Sequence, residues 1–184
     1  MSGKLNDKFL LASSIAGDEE AFGKLYDRYF DEIFRFIVMR VASKEEAQDI
    51  ASEVFLKTWQ YVMSSDKQID NFRALLYKVA RNLVIDFYRK SGKELAIFDE
   101  DQIKQLIDES INLEEELVKK DDVRIVFSAL SELSEDSREL ILMRYAQDLS
   151  VKEIANVLGK NNGAIRVALH RATKQLKLVL KSDT

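Results

Sequence analysis

The densest chemistry in this 184-residue chain lies near its end. Between Lys160 and Lys181 stand Lys160, Arg166, Arg171, Lys174, Lys177 and Lys181, with no Asp or Glu among them. A helix carrying one sign of charge suits a polyanion. Immediately before and within this run is the pattern Ile154-Ala155-x-x-Leu158-Gly159-x-x-x-x-x-Ile165-x-x-Ala168. A helix-turn-helix needs a small residue where its helices touch, a glycine able to take positive φ in the tight turn, and an apolar residue locking the second helix. Ala155, Gly159 and Ile165 fill those roles. Arg166, Val167, His170, Arg171 and Lys174 then share the outward face, within reach of base edges and phosphates. The same pattern also fits an ordinary helical hairpin with a solvated basic face.

A second concentration is Arg73, Lys78, Arg81, Arg89 and Lys90 against the single acid Asp86, interleaved with Phe72, Tyr77, Phe87 and Tyr88. Cations and aromatics on one helix suit single-stranded nucleic acid, because bases stack on rings and phosphates pair with cations. Several of those rings could equally belong to a core. Asp49, Glu53, Lys57 and Gln60 line one face of an earlier helix, and Glu53 to Lys57 is a helix-stabilising pair. No histidine lies near Asp49 and Glu53, so a solvated or protein-binding face is expected there and no metal site. Catalysis finds no foothold. His170 is the only histidine and sits among cations, and no P-loop, H-E-x-x-H or G-x-S-x-G occurs. The chain reads as a non-enzyme with no cofactor and no small-molecule substrate.

These groups need rigid carriers, and the composition points to helices. There is no proline, where average usage gives about nine, and 46% of residues are apolar. No stretch keeps strand-type alternation, so an all-α fold is expected. The absence of cysteine removes disulfides and thiolate-ligated zinc. Nothing approaches the roughly 20 apolar residues needed to span a bilayer, and residues 1–11 lack the core of a signal peptide. A cytoplasmic protein without stable membrane insertion is expected.

Apolar spacing predicts a helix from Glu19 to Val41, capped by Asp18, and another from the Ser43–Glu46 capping box to Met63. A third runs from the cap Asn71 to Lys90. Ser134 and Ser150 are expected to cap two further helices, with Leu140, Ile141 and Tyr145 on the apolar side of the first, and Asn161 to cap the last, which reaches Leu180. The net charge of −4 conceals three parts: residues 1–90 hold 14 basic and 14 acidic side chains, residues 91–122 hold 4 and 11, and residues 123–184 hold 10 and 7. The expected organisation is a helical domain over 1–92, an acidic linker over 93–120, and a helix-turn-helix domain over 121–184. The last opens with Val123, Val126, Phe127, Leu130 and Leu133 on one face.

Taken in order, four blocks resemble bacterial sigma factors of the extracytoplasmic-function type, the minimal two-domain members of the sigma-70 family. They are Gly17-Asp18-Glu19-Glu20-Ala21-Phe22 with Leu25-Tyr26; Ala47-Gln48-Asp49-Ile50 through Glu53-Val54-Phe55 to Trp59; Asn71 to Asn82 through Asp86 to Arg89; and Leu130–Leu133, Arg144-Tyr145, Leu149-Ser150, Glu153-Ile154-Ala155 and His170-Arg171-Ala172. The resemblance implies a transcription initiation factor with core RNA polymerase and promoter DNA as partners, and an anti-sigma protein as a further one. It implies polymerase binding by Asp49, Glu53 and Phe55. It implies melting and reading of the minus-ten element by Lys67, Asn71, Arg73, Asn82, Asp86 and Arg89. Arg166, Val167, His170 and Arg171 would read the minus-thirty-five element, with Lys174 on phosphate. Ser52 departs from the family pattern, as do Lys160-Asn161-Asn162 and Ala164 at the start of the last helix, and Val167 and Ala168 are apolar where hydrogen-bonding side chains are frequent. Two rival readings remain from sequence: a homodimeric helix-turn-helix regulator, and an adaptor whose basic helix binds an acidic protein.

Overall fold

Helix starts and stops set the architecture of this computed structural model, which describes residues 2–41, 43–64, 69–92, 125–126 and 128–182. Contacts divide the chain into two compact units, one including Met1–Ala96 and the other including Ile97–Ala155 and Gly159–Thr184. Every regular element among the described residues is helical.

The first unit holds α1 (Ser2–Ile15), α2 (Glu19–Val38), α3 (Lys44–Ser64) and α4 (Phe72–Ser91). Asp18 caps α2 by accepting from the Ala21 N–H, and Asn71 caps α4 by accepting from the Ala74 N–H. Ser43 accepts from the Glu46 N–H at 3.1 Å and starts α3. Once begun, each helix turns one apolar face inward. Leu25, Ile33, Phe36 and Ile37 of α2 meet Ala51 and Val54 of α3 and Leu76, Tyr77 and Ala80 of α4 in a core without solvent access. Burying each of the large side chains contributes roughly 1.5–3 kcal/mol.

Helix α1 has no counterpart in the sequence reading. Among its described side chains Leu10 and Leu11 are buried together with the polar Asp7 and Ser14, while Phe9 is exposed. Beside these leucines a polar anchor holds it: Arg28 and Tyr29 of α2 both donate to the Asp7 carboxylate. Burial first, and then the Asp7 carboxylate, push the Tyr29 phenol well above its ordinary value. Helix α2 ends three residues before the expected Val41. There Arg40 folds back, its Nη1 donating to Phe36 O at 2.7 Å and its guanidinium lying 3.8 Å from the Phe36 ring centroid. Tyr88 Oη of α4 donates to Arg40 O at 2.7 Å, which ties the α2–α3 corner to α4.

In the second unit residues 128–131 are helical, followed by α5 (Glu135–Ile141), a π-helical turn (Leu142–Ala146), α6 (Val151–Leu158) and α7 (Asn162–Ser182). Leu130, Leu133, Ile141, Leu142 and Ala172 form its core, with Leu176 packed against them. Ser134 occupies the N-cap position of α5, but its hydroxyl bonds Ser137 Oγ and makes no backbone cap. Arg138 instead secures this corner, donating to the carbonyls of Leu130, Ser131 and Leu133. The wide π-turn inserts a residue into the helical register, and Tyr145, expected on the apolar side, is 65% exposed. Val126, also expected inward, is exposed. Val123, Phe127, the acidic segment 93–120 and the boundary near Asp121 lie outside the described residues.

Candidate nucleic-acid interface

The helix-turn-helix assembles as its spacing demands. Ser150 and Glu153 complete a reciprocal capping box at the start of α6, leaving Ile154 and Ala155 buried. Gly159 ends the helix at φ +64°, the left-handed conformation that L side chains resist. Two residues on, Asn161 Oδ1 accepts from the Ala164 N–H at 2.8 Å and starts α7. Ile165, Leu169 and Ala172 face inward and fix the rotation of α7 about its own axis. That rotation sends Arg166, Val167, His170, Arg171 and Lys174 outward, and all five are exposed.

At 21 residues α7 is about 31 Å long. Its first turn carries no acid, and the exposed residues Asn162, Gly163 and Ala164 stand at the positive end of the helix dipole. No described acid pairs with the cations of this face. The surface therefore matches a groove edged with phosphates.

The first unit treats its predicted residues unequally. On α4, Asn82 and Arg89 are exposed and Asp86 is half-buried, with Arg89 Nη2 3.0 Å from Asp86 Oδ1. An exposed pair of this kind contributes little to stability and leaves both groups accessible. Lys78 shares that outward face. Arg73 faces the other way: its Nε donates to Glu32 Oε1 of α2 at 2.6 Å, and its guanidinium lies 5.6 Å from the Tyr77 centroid. Tyr77 Oη donates to the same Glu32 oxygen at 2.8 Å. Burial, then Glu32, raise the Tyr77 phenol far above its ordinary value. Arg73, expected among the minus-ten contacts, thus also joins α2 to α4. Asn71 is engaged as the α4 cap beside a shallow recess that Asp7, Lys8, Ile69 and Asp70 also line. Lys67 lies outside the described residues. Phe72, Tyr77 and Tyr88 are core side chains, not stacking platforms.

On α3, Asp49 and Glu53 are exposed, and Glu53 pairs with Lys57 at 2.9 Å. Phe55 is 2% exposed, packed against the rings of Tyr26 and Phe30 at centroid distances of 4.6 and 6.1 Å. The ring expected to meet polymerase is thus buried in the first unit, where it anchors α3. The outward stripe instead includes Leu56 and Met63, each at least half exposed. Sequence reasoning passed over both, although their spacing from Asp49 and Glu53 puts them on that face.

Two family models match the chain. "Sigma-70 region 2" covers residues 25–94 and "Sigma-70, region 4" covers residues 124–176. The chain belongs to the sigma-70 family, as a sigma factor of the extracytoplasmic-function type. It is 32% identical over 179 residues to the ECF RNA polymerase sigma factor BldN of Streptomyces coelicolor, covering 95% of this chain and 66% of that one. It is 27% identical to the ECF RNA polymerase sigma factor SigX of Bacillus subtilis, covering 86% of this chain and 83% of that one. Among solved structures, CnrH in complex with the cytosolic domain of CnrY has the same fold, with a TM-score of 0.69 at 23% identity, over 97% of this chain and 99% of that one. The sigma factor is thus a promoter-specificity factor for transcription initiation. Matches to both regions disfavour a stand-alone homodimeric regulator. No helix of the described residues is long and apolar enough to cross a membrane.

Proposed function

We propose that the sigma factor divides promoter recognition between its two helical units. The exposed cationic face of α7 reads the minus-thirty-five element in the major groove through Arg166, Val167, His170 and Arg171, and Lys174 holds phosphate. The outward face of α4, with Asn82, Asp86 and Arg89, engages the melted minus-ten strand, and the recess beside Asn71 receives an unstacked base. Arg73 supports that surface from behind. Asp49 and Glu53, with Leu56 and Met63 beyond them on the same face of α3, dock the sigma factor on core polymerase. It works as a non-catalytic subunit in the cytoplasm, and an anti-sigma protein is a further partner.

The observation that carries this reading is the outward, acid-free face of α7, fixed by the buried Ile165, Leu169 and Ala172. Run-off transcription with core polymerase tests it. Arg171→Ala loses promoter selection while still binding core, and Asp49→Ala with Glu53→Ala binds core less tightly. Normal selection by Arg171→Ala contradicts the recognition-helix assignment.

A further inference from the structure

Val167 is the one large apolar residue exposed in the N-terminal half of α7; the exposed Leu178 lies three turns farther on. It is a β-branched apolar residue, 52% exposed, on a surface that also carries Arg166, His170, Arg171 and Lys174. One turn before it lie the exposed Gly163 and Ala164, and one turn after it the exposed His170 and Arg171. Its inward neighbours Ile165 and Leu169 already fill the core side of α7, so the fold has no use for its methyl groups. The surrounding cations, free of acids from Lys160 to Lys181, recruit a polyanion.

Resting on the recognition-helix reading above, we infer that Val167 determines specificity by packing against the 5-methyl group of a thymine in the minus-thirty-five element. A valine can neither donate nor accept a hydrogen bond, and the thymine methyl is the apolar feature that base edges present in the major groove. Gly163 and Ala164 keep the preceding turn low, which lets the helix axis approach the bases closely enough for a short side chain to reach. Valine is held near one χ1 rotamer in a helix, so the contact costs little side-chain entropy. Arg166 and Arg171 flank it and supply the hydrogen bonds it cannot make.

The test uses the sigma factor bound to core polymerase and a duplex selected by that complex from a pool randomised across the upstream element. Each thymine of the selected element is then replaced in turn by deoxyuridine, which removes only the methyl group. One position should lose about fourfold in affinity, the factor that corresponds to burying one methyl-sized group. Val167→Ala should bind the unmodified duplex about fourfold or more weaker and be indifferent to deoxyuridine at that position. The inference is overturned if no thymine is preferred, if no deoxyuridine position matters, or if Val167→Ala stays sensitive. It is also overturned if Val167→Ala weakens binding to core polymerase without DNA, which would make the valine a protein contact. Arg171→Ala separates the two levels. If it selects and binds DNA as well as wild type, the recognition-helix reading itself fails. If it is defective while deoxyuridine is neutral throughout, only the Val167 assignment fails.

Discussion

Removing the Glu32 carboxylate should unseat α4 from α2 without touching any exposed residue of the promoter-facing surface. Glu32 Oε1 accepts from Tyr77 Oη at 2.8 Å and from Arg73 Nε at 2.6 Å. In Glu32→Ala the Tyr77 hydroxyl, on a side chain with no solvent access, loses its acceptor, at a cost of about 1–3 kcal/mol. The Arg73 pair, with side chains 20% and 24% exposed, adds about 1 kcal/mol after allowance for solvent screening. A total near 3 kcal/mol is a large fraction of the ~5–15 kcal/mol typical of a domain. Trp59 makes this measurable in the full chain. It is the only tryptophan, its ring is 4.6 Å from that of Phe22, and its fluorescence in a urea titration reports on the first unit. Arg73→Ala added to Glu32→Ala should cost less than about 0.5 kcal/mol more, since the two share one interaction. A midpoint unchanged in Glu32→Ala, or Arg73→Ala that retains full stability but loses promoter opening, would refute the Arg73 link between α2 and α4 and leave it only the DNA-contacting role.

Alkaline titration should destabilise the same unit. Tyr29 and Tyr77 are both raised above the ordinary phenol value near 10, so above that pH the unfolded chain releases protons that the folded one keeps. Their stabilising contribution is complete below pH 10 and declines above it by about 1.4 kcal/mol per pH unit for each phenol; Tyr29→Phe should roughly halve the steepness seen by Trp59 fluorescence. Thr58→Val should raise the urea midpoint by the equivalent of about 1 kcal/mol, because the Thr58 hydroxyl is fully buried and has no hydrogen-bond partner; a lower midpoint would mean that the hydroxyl is satisfied. Lys174→Ala, tested in the polymerase complex, should weaken all promoter sequences alike and make the log affinity against log salt slope shallower by about 0.9; a change in base preference would place Lys174 on a base edge.

What was legible in the sequence was what repeats or caps. The buried stripes of α2, α3 and α4, the Asn71 cap, the Ser150–Glu153 box and the Gly159 turn all depend on residues within four positions of each other, and all form as their spacing implies. The outward set on α7 follows from the same periodicity, because Ile165, Leu169 and Ala172 leave only one face for Arg166, Val167, His170, Arg171 and Lys174. Long-range pairings were not legible. Asp7 meets Arg28 and Tyr29 across 21 and 22 residues, and an Asp in a weakly apolar segment gives no sign that it is a buried anchor. Arg73 looked like a free cation because its partner Glu32 is 41 residues away. Family position marks Phe55 for docking and says nothing about which way its ring turns; Tyr26 and Phe30 decide that. The π-turn at Leu142–Ala146 rotated Tyr145 out of the stripe that a regular α-helix would have given it.

On the proposed recognition-helix reading, charge arithmetic explains why the α7 face needs a larger machine. If about four cations of α7 reach phosphates, affinity falls with salt at a slope near −3.6. Bare contacts of that kind typically give dissociation constants of about 10⁻⁴–10⁻⁶ M at physiological salt. The segment 91–122 carries an excess of seven negative charges, which repels the same duplex and pushes the free sigma factor towards the weak end. The proposed second attachment, through α3, changes the terms, because a linked site sees an effective concentration on the order of 1 mM. Against a site of about 10⁻⁴ M that gives roughly ten-to-one occupancy without any new contact. Base reading by Val167 and Arg171 then needs to supply only discrimination between sequences, a task for which contacts worth about 1–3 kcal/mol each suffice.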